Sequence, residues 1–130
     1  MKQLIIILIL LASTAFAQFQ DSTVATIDSL GTNTVAVDLN GDRFISITFP
    51  AAMTSDTLFI QTASDTVNGG TFRDVYYTKS DGSQVRCGIL VQAGKTVGIP
   101  VLWAELFKRY VRGTGDAEAD DRTPYFNHKR

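Results

Sequence analysis

Cys87 and His128 are the residues best suited to nucleophilic or metal chemistry, and the chain of 130 residues has only one cysteine and one histidine. A thiolate nucleophile needs a base close by, and His128 lies two residues from the end of the sequence. Cys87 alternates instead with Val85 and Ile89, which is typical of a small buried side chain on a strand. A disulfide between two copies of an exported protein is the alternative. The sequence therefore predicts no catalytic cysteine.

Two acidic segments contain the residue types that bind hard cations. Asp38–Asp42 places carboxylates at alternate positions, but Phe49 stands where a calcium-binding helix-loop-helix needs its bidentate glutamate. A turn at Asn40-Gly41 is therefore favoured. The second segment, whose spacing fits no ligand rule, contains Asp116, Glu118, Asp120 and Asp121. We expect no metal site and no cofactor, and we interpret this acidic loop with His128–Arg130 as a solvated tail, with a docking arm as the alternative.

No catalytic motif joins these residues. The sequence contains neither a Gly-x-Ser-x-Gly elbow nor a Gly-x-x-x-x-Gly-Lys phosphate loop, and its candidate acids, bases and nucleophiles do not cluster. Its 12 basic and 13 acidic residues give a net charge of −1, without the basic surplus of a nucleic-acid binder. The sequence therefore predicts a protein that is not an enzyme and binds no nucleic acid.

An aromatic and basic group near residue 105 has the composition of a binding surface. Trp103, Phe107 and Tyr110 recur at helical spacing, close to Arg109 and Arg112. Trp, Tyr and Arg dominate the energetics of many protein interfaces. These five residues are therefore the candidate interface, although packing in the core is the favoured explanation of the aromatic side chains.

The N-terminus has the parts of a secretory signal peptide. Lys2 precedes the apolar run Leu4–Ala12 and an Ala-Phe-Ala site, which predicts cleavage between Ala17 and Gln18. A retained helical anchor, with Leu4–Ala17 in contact with a membrane, is the alternative, although a spanning helix needs about 20 apolar residues. The predicted organisation is a signal peptide or short anchor at 1–17, a β-sandwich domain at 18–113, and an acidic loop with a C-terminal strand or tail at 114–130.

Apolar and polar residues alternate through most of the chain after the predicted signal, as in half-buried strands. Four sets of residues are each predicted to share one face of a strand: Val35 with Val37 and Leu39, Ile45 with Ile47 and Phe49, Leu58 with Ile60, and Cys87 with Ile89. Alternation within Val24–Asp28 predicts a weak first strand, and alternation within Phe107–Arg112 predicts a later one. Asp81-Gly82 is predicted to close a hairpin, and Val101–Leu106 is the single short helical segment. About eight or nine strands without a long helix predict an all-β fold, a single antiparallel β-sandwich or jelly-roll-like domain.

Several segments together resemble a family of small phage virion structural proteins of the head-associated, decoration or fibre type. The resemblance is found in Arg43–Thr54, Leu58–Asp65, Thr71–Tyr76, Asp81–Val85 and Leu106–Gly113. These segments contain a strand ending in Phe-Pro-Ala-Ala-Met-Thr, a Phe-Gln strand, Thr-Phe-Arg-Asp-Val-Tyr, a short turn and an Arg-rich strand before a Gly-Thr loop. The motifs consist of turns and strand faces, so they carry no catalytic residue.

This sequence departs from the family pattern in two places, the signal-like N-terminus and a loop lengthened to Asn68–Gly70. The resemblance implies a non-enzymatic virion component that assembles with capsid or other virion proteins and with copies of itself. Assembly would use exposed strand edges and the Trp103 region. The alternative is an exported bacterial β-sandwich module, in the periplasm, on the outer surface or secreted, that binds carbohydrate or a surface protein.

Overall fold

Short strands succeed one another throughout residues 20–66 and 71–130, the part of the chain that the computed structural model describes. The elements are β1 (Gln20–Val24), β2 (Val37–Asp38), β3 (Arg43–Thr48), β4 (Thr57–Ala63), β5 (Arg73–Asp74), β6 (Tyr76–Thr78), β7 (Gln84–Arg86), β8 (Gly88–Leu90), β9 (Thr96–Gly98), a 3-10 helix (Val101–Leu106), β10 (Tyr110–Thr114) and β11 (Tyr125–Lys129). The predicted signal or anchor, with its cleavage site at Ala17 and Gln18, lies outside the described residues. Among the described helices, none is long and apolar enough to cross a membrane.

The strands form two antiparallel sheets and a separate hairpin. Sheet 1 has the order β1-β11-β3-β9, and sheet 2 has the order β2-β10-β4-β5, with β8 also paired to β4. The β6-β7 hairpin is closed at Asp81-Gly82, where Gly82 has a φ of 84°. The predicted antiparallel all-β fold is confirmed, as are the hairpin and the bounds of the short helix.

The hydrophobic core lies between the two sheets. Its central side chains are all buried: Phe44, Ile47 and Phe126 from sheet 1, and Leu58, Ile60 and Val111 from sheet 2. Burying each of these side chains contributes about 1.5–3 kcal/mol relative to exposure. Gly113 of β10 lies so close to Leu58 that an added Cβ would be 2.5 Å from Leu58 Cδ2. The inward face predicted for Leu58 and Ile60 is confirmed.

A bulge at the start of β3 changes which side chains point into the core. The prediction that Ile45 shares the inward face of Ile47 is therefore wrong. Asn127 pairs with Ser46, but the next residue, His128, pairs with Phe44, so Ile45 has no partner of its own on β11. An extra residue interrupts the alternation of side chains. Phe44 and Ile47 therefore both point into the core, whereas Ile45 is only half-buried.

Three further expectations near strand ends are also corrected. Val35 does not share the buried face of Val37 and is exposed, because it precedes β2. The first strand lies earlier than the Val24–Asp28 alternation indicates, since β1 ends at Val24. The strand predicted at Phe107–Arg112 begins later, at Tyr110. Periodicity locates strands better than it locates their ends.

The predicted C-terminal strand is confirmed, and the charged C-terminus is therefore not a solvated tail. β11 lies between β1 and β3 and pairs with both along its whole length. Phe126 is fully buried in the core, and His128 is buried at the same end of the sheet. The preceding acidic loop is also attached to the sandwich, because the backbones of Leu30 and Gly31 form hydrogen bonds with Glu118. Residues 114–130 are therefore an integral part of the β-sandwich.

Candidate functional site

The 3-10 helix presents exposed aliphatic side chains, which we call the helical patch. The patch comprises Val101 and Leu102, which are 76% and 89% exposed, and the more sheltered Leu106. Pro100 immediately precedes the helix as its N-cap residue, and its carbonyl accepts a hydrogen bond from Trp103 N–H at 2.9 Å. Because the helix has only six residues, one inward-pointing side chain attaches most of it to the core.

Trp103 is that inward-pointing side chain. It is buried and packs against Tyr77 with ring centroids 5.1 Å apart. Phe107 is half-buried and meets the edge of the Phe44 ring at 5.7 Å. Core packing, the favoured explanation for these two aromatic residues, is therefore confirmed, and the exposed helical patch beside them is a surface that the aromatic pattern did not reveal.

Basic side chains line two grooves that meet the 3-10 helix. A groove of about 310 Å³ is lined by Arg43, Ile45, Val101 and Lys129 among others. A larger groove of about 590 Å³ also contains Arg43 and meets the helix at Ala104, and its other lining residues include the Asn40-Gly41 turn, Asp42, Lys108 and Arg109. The exposed aliphatic side chains of the helix thus lie near polar and mainly basic grooves, a combination that resembles the apolar core and polar rim of protein interfaces.

The three remaining candidate interface residues are held by neighbouring side chains. Arg109 is bidentate to Asp38, with Nε and Nη2 at 3.0 and 2.9 Å from the carboxylate oxygens, and its hydrogen bonds hold the pKa of Asp38 below the ordinary value. Tyr110 lies beside the Arg109 guanidinium, which is 5.3 Å from the ring centroid. Arg112 of β10 donates to Gln61, and its guanidinium carbon is 4.4 Å from the centroid of the Phe72 ring. Of these three, Arg109 is the residue that lines a groove meeting the 3-10 helix.

The Asn40-Gly41 segment is a turn, as predicted. Both residues have positive φ, 48° and 85°, and the Asn40 N–H donates to the Asp38 carboxylate at 2.9 Å. The carboxylates expected of a calcium loop are directed elsewhere, Asp38 to Arg109 and Asp42 to His128.

His128 lies at the centre of a polar cluster that sequence reasoning missed. Its Nδ1 is 2.8 Å from Asp42 Oδ2, and its Nε2 is 3.0 Å from Thr23 Oγ1. Asp21 pairs directly opposite His128 in the β1-β11 ladder. These residues come from the two ends of the chain and the β2-β3 turn, so only the fold brings them together. The available signal was the position of His128 two residues after Phe126, on the same face of a strand.

Glu118 is the second buried ionisable group that the sequence did not reveal. The residue is 1% exposed, and its carboxylate accepts hydrogen bonds from Thr54 N–H at 2.6 Å and from the Ser55 N–H and hydroxyl at 3.3 and 3.1 Å. Burial by itself raises the pKa of this carboxyl, but the hydrogen bonds outweigh it and the pKa lies below the ordinary value. Glu118 therefore joins two loops as an ionised group.

Cys87 occupies the core, as its alternation with apolar residues predicts. The side chain is fully buried, and this desolvation raises the pKa of the thiol to about 11. The thiolate is therefore scarce at neutral pH, and a fully buried sulfur cannot reach a second copy of the folded protein.

The described residues thus define a two-sheet antiparallel β-sandwich protein with an exposed apolar helix at one end. No family model and no curated protein matches the sequence. Among solved structures, the chain is similar to the SPBc2 prophage-derived protein YomS, with a TM-score of 0.50 and 16% sequence identity over 86% of this chain and 96% of that chain. At this identity the likeness shows a shared fold, and that fold therefore occurs in a phage-derived protein.

Proposed function

We propose that this protein is a non-enzymatic structural component of a phage virion, which acts by assembling with capsid or other virion proteins and with copies of itself. The observation that carries the proposal is the helical patch, where Val101 and Leu102 are largely exposed. Contiguous apolar surface is costly in water and commonly marks a site of protein association.

Two further observations support this assignment. The sandwich shares its fold with a prophage-derived protein, which agrees with the family that the sequence motifs resemble. In addition, β1 and β9 are the outer strands of sheet 1 in the described part of the chain, and edge strands have backbone groups available for pairing with another chain.

The surface also indicates the chemistry of the partner. Arg43 lines both grooves that meet the helix, and Lys108 and Arg109 line the larger one. A complementary partner presents apolar side chains to the helical patch and carboxylates to its rim, since charge complementarity sets specificity and orientation.

The test is particle incorporation of the full chain and of two matched variants. Leu102→Glu places a charge in the patch, whereas Leu90→Glu places the same charge at a leucine that is 68% exposed on β8. We expect mass spectrometry of purified particles to find the wild-type chain and Leu90→Glu in similar amounts. The amount of Leu102→Glu per particle should be at least about tenfold lower, because a loss of about 1.4 kcal/mol in binding free energy lowers affinity tenfold.

Two outcomes contradict the proposal. If both variants enter particles equally, the helical patch is not the assembly surface. If the wild-type chain is absent from particles and is found in the envelope or the medium, the virion role is wrong and the exported binding module replaces it.

A further inference from the structure

The polar cluster around His128 contains the donors of a metal site. Asp21, Asp42 and His128 each offer one ligand atom, and these three atoms lie within 4.8 Å of one another. One imidazole nitrogen with carboxylate oxygens suits first-row divalent transition metals, because imidazole disfavours calcium and magnesium. We infer that these three residues bind such an ion, with Zn²⁺ as the representative case.

Two of the ligands are already held in place by the fold. The side chains of His128 and Asp42 are only 7% and 9% exposed, and Nδ1 lies 2.8 Å from Oδ2. In the tautomer whose Nε2–H donates to Thr23 Oγ1, 3.0 Å away, the lone pair of Nδ1 faces the Asp42 carboxylate. Zn²⁺ binds such atoms at about 2.0–2.2 Å, so an ion coordinated by both would lie to one side of the line joining them and would replace the repulsion between their lone pairs with coordination.

Thr23 then acts as the outer partner of the metal-binding histidine. A ligating imidazole usually donates its second N–H to a neighbouring oxygen, which fixes the orientation of the ring. Thr23 lies on β1, and its hydroxyl meets the second nitrogen of His128 from the adjacent strand. The structure therefore supplies both an inner ligand atom on His128 and an outer hydrogen-bond partner for it.

Asp21 supplies the third ligand from the solvent side. It is exposed on β1 and lies opposite His128 in the strand pairing, so its carboxylate can approach the ion without disturbing the core. Water would complete the coordination of such an ion, as in an open three-ligand site. Such an ion would attach the edge strand β1 to β11 and to the turn before β3.

The charges and the competing ligands also favour this assignment. The carboxylates of Asp21 and Asp42 supply the negative charge that attracts a cation, and Arg130, whose Nε is 3.6 Å from Asp42 Oδ1, offsets part of that charge. Cys87, whose thiolate would be a stronger zinc ligand, is fully buried elsewhere in the core. The Asp21, Asp42 and His128 cluster is therefore where added metal would bind.

The test titrates the full chain with Zn²⁺ by calorimetry and with Co²⁺ by proton NMR. Because His128 is the only histidine, its imidazole resonances report directly on the site. We expect Co²⁺ to shift or broaden them. Asp21→Asn is expected to weaken Zn²⁺ binding at least about tenfold. Even the loss of a residue that only hydrogen-bonds to a metal ligand typically lowers metal affinity about 10–100-fold. The exposed Asp120→Asn is the matched control and leaves the affinity unchanged.

Asp21→Asn also separates metal binding from a purely structural role, because it leaves the Asp42 and His128 contact intact. The inference is wrong if neither ion perturbs the His128 resonances, or if Zn²⁺ binds Asp21→Asn and Asp120→Asn with equal affinity. A heat of binding without any change at His128 would likewise place the ion elsewhere and overturn the site.

Discussion

The carboxylate of Glu118 joins two loops that are more than 60 residues apart in sequence. Three donors from Thr54 and Ser55 surround it, and its exposed fraction is close to zero. A buried carboxylate is stable only when its hydrogen-bonding capacity is satisfied. An acidic residue among acidic neighbours is expected to be solvated, whereas the folded position of the loop buries Glu118.

Glu118→Gln is expected to lower the free energy of unfolding by about 1–3 kcal/mol at pH 7, because the new amide NH₂ faces donors rather than acceptors. The folded-state pKa of Glu118 is lowered, so its contribution is complete above the ordinary pKa of about 4.3. That contribution is lost as the pH falls through the lower folded-state pKa. Urea titrations at several pH values should therefore show the difference between wild type and variant shrinking in acid.

Asp120→Ala is the control for this measurement. Asp120 lies in the same loop with its side chain 80% exposed and 3.7 Å from Arg122, and its removal should change stability by less than about 0.5 kcal/mol. Equal effects of the two substitutions at neutral pH would contradict the role given to Glu118.

At the scale of elements, the β3 bulge shows where a period of two stops being informative. Alternation predicts that Ile45 shares a face with Ile47, but the extra residue opposite β11 turns Phe44 inward. The Phe44 ring then stacks on Phe126 with centroids 4.9 Å apart. Nothing within the β3 sequence distinguishes the two arrangements, because both Phe44 and Ile45 are apolar.

Phe44→Ala and Ile45→Ala test the bulge directly. Phe44→Ala should lower stability by about 3–5 kcal/mol, the usual cost of removing a buried aromatic ring. Ile45→Ala should cost about 1 kcal/mol, near the centre of the distribution for single substitutions. Chemical denaturation of both variants under identical conditions measures the difference, and a larger loss for Ile45→Ala would restore the uninterrupted alternation.

Other elements were predictable because their determinants are local. Asn40-Gly41 and Asp81-Gly82 adopt the turns that their backbone freedom favours, and Val101–Leu106 forms the single short helix of the described chain. The exposed face of that helix was not predictable. Trp103 and Leu102 are neighbours in an apolar segment, and the placement of the helix on the sandwich decides which of them is buried.

At the scale of the whole molecule, the last strand, β11, connects the first strand to the rest of sheet 1. β11 pairs with β1, whose residues are about 100 positions earlier, and also with β3. Pairing across such separations is slow to form, since the loop entropy is lost before the contacts are gained. The protein therefore cannot complete sheet 1 until the C-terminus is present.

Truncation after Pro124 should abolish cooperative unfolding, because it removes the strand that connects β1 to the rest of sheet 1 and takes Phe126 from the core. Removal of Arg130 alone, whose side chain is 86% exposed, should preserve the transition. Thermal unfolding followed by circular dichroism distinguishes the two. A cooperative transition in the longer truncation would mean that the C-terminus is dispensable.

The sequence by itself determined the antiparallel β class, the turns and the inward faces of Leu58, Ile60 and Cys87, because these depend on residue type and on contacts between near neighbours. The tertiary structure alone decided that Glu118 meets Thr54, that His128 meets Asp42, and that Leu102 remains outside. The two contacts join residues from distant parts of the chain, and the exposure of Leu102 depends on how the helix packs on the sandwich. Their energies depend on burial and on partners, which no local pattern of residues specifies.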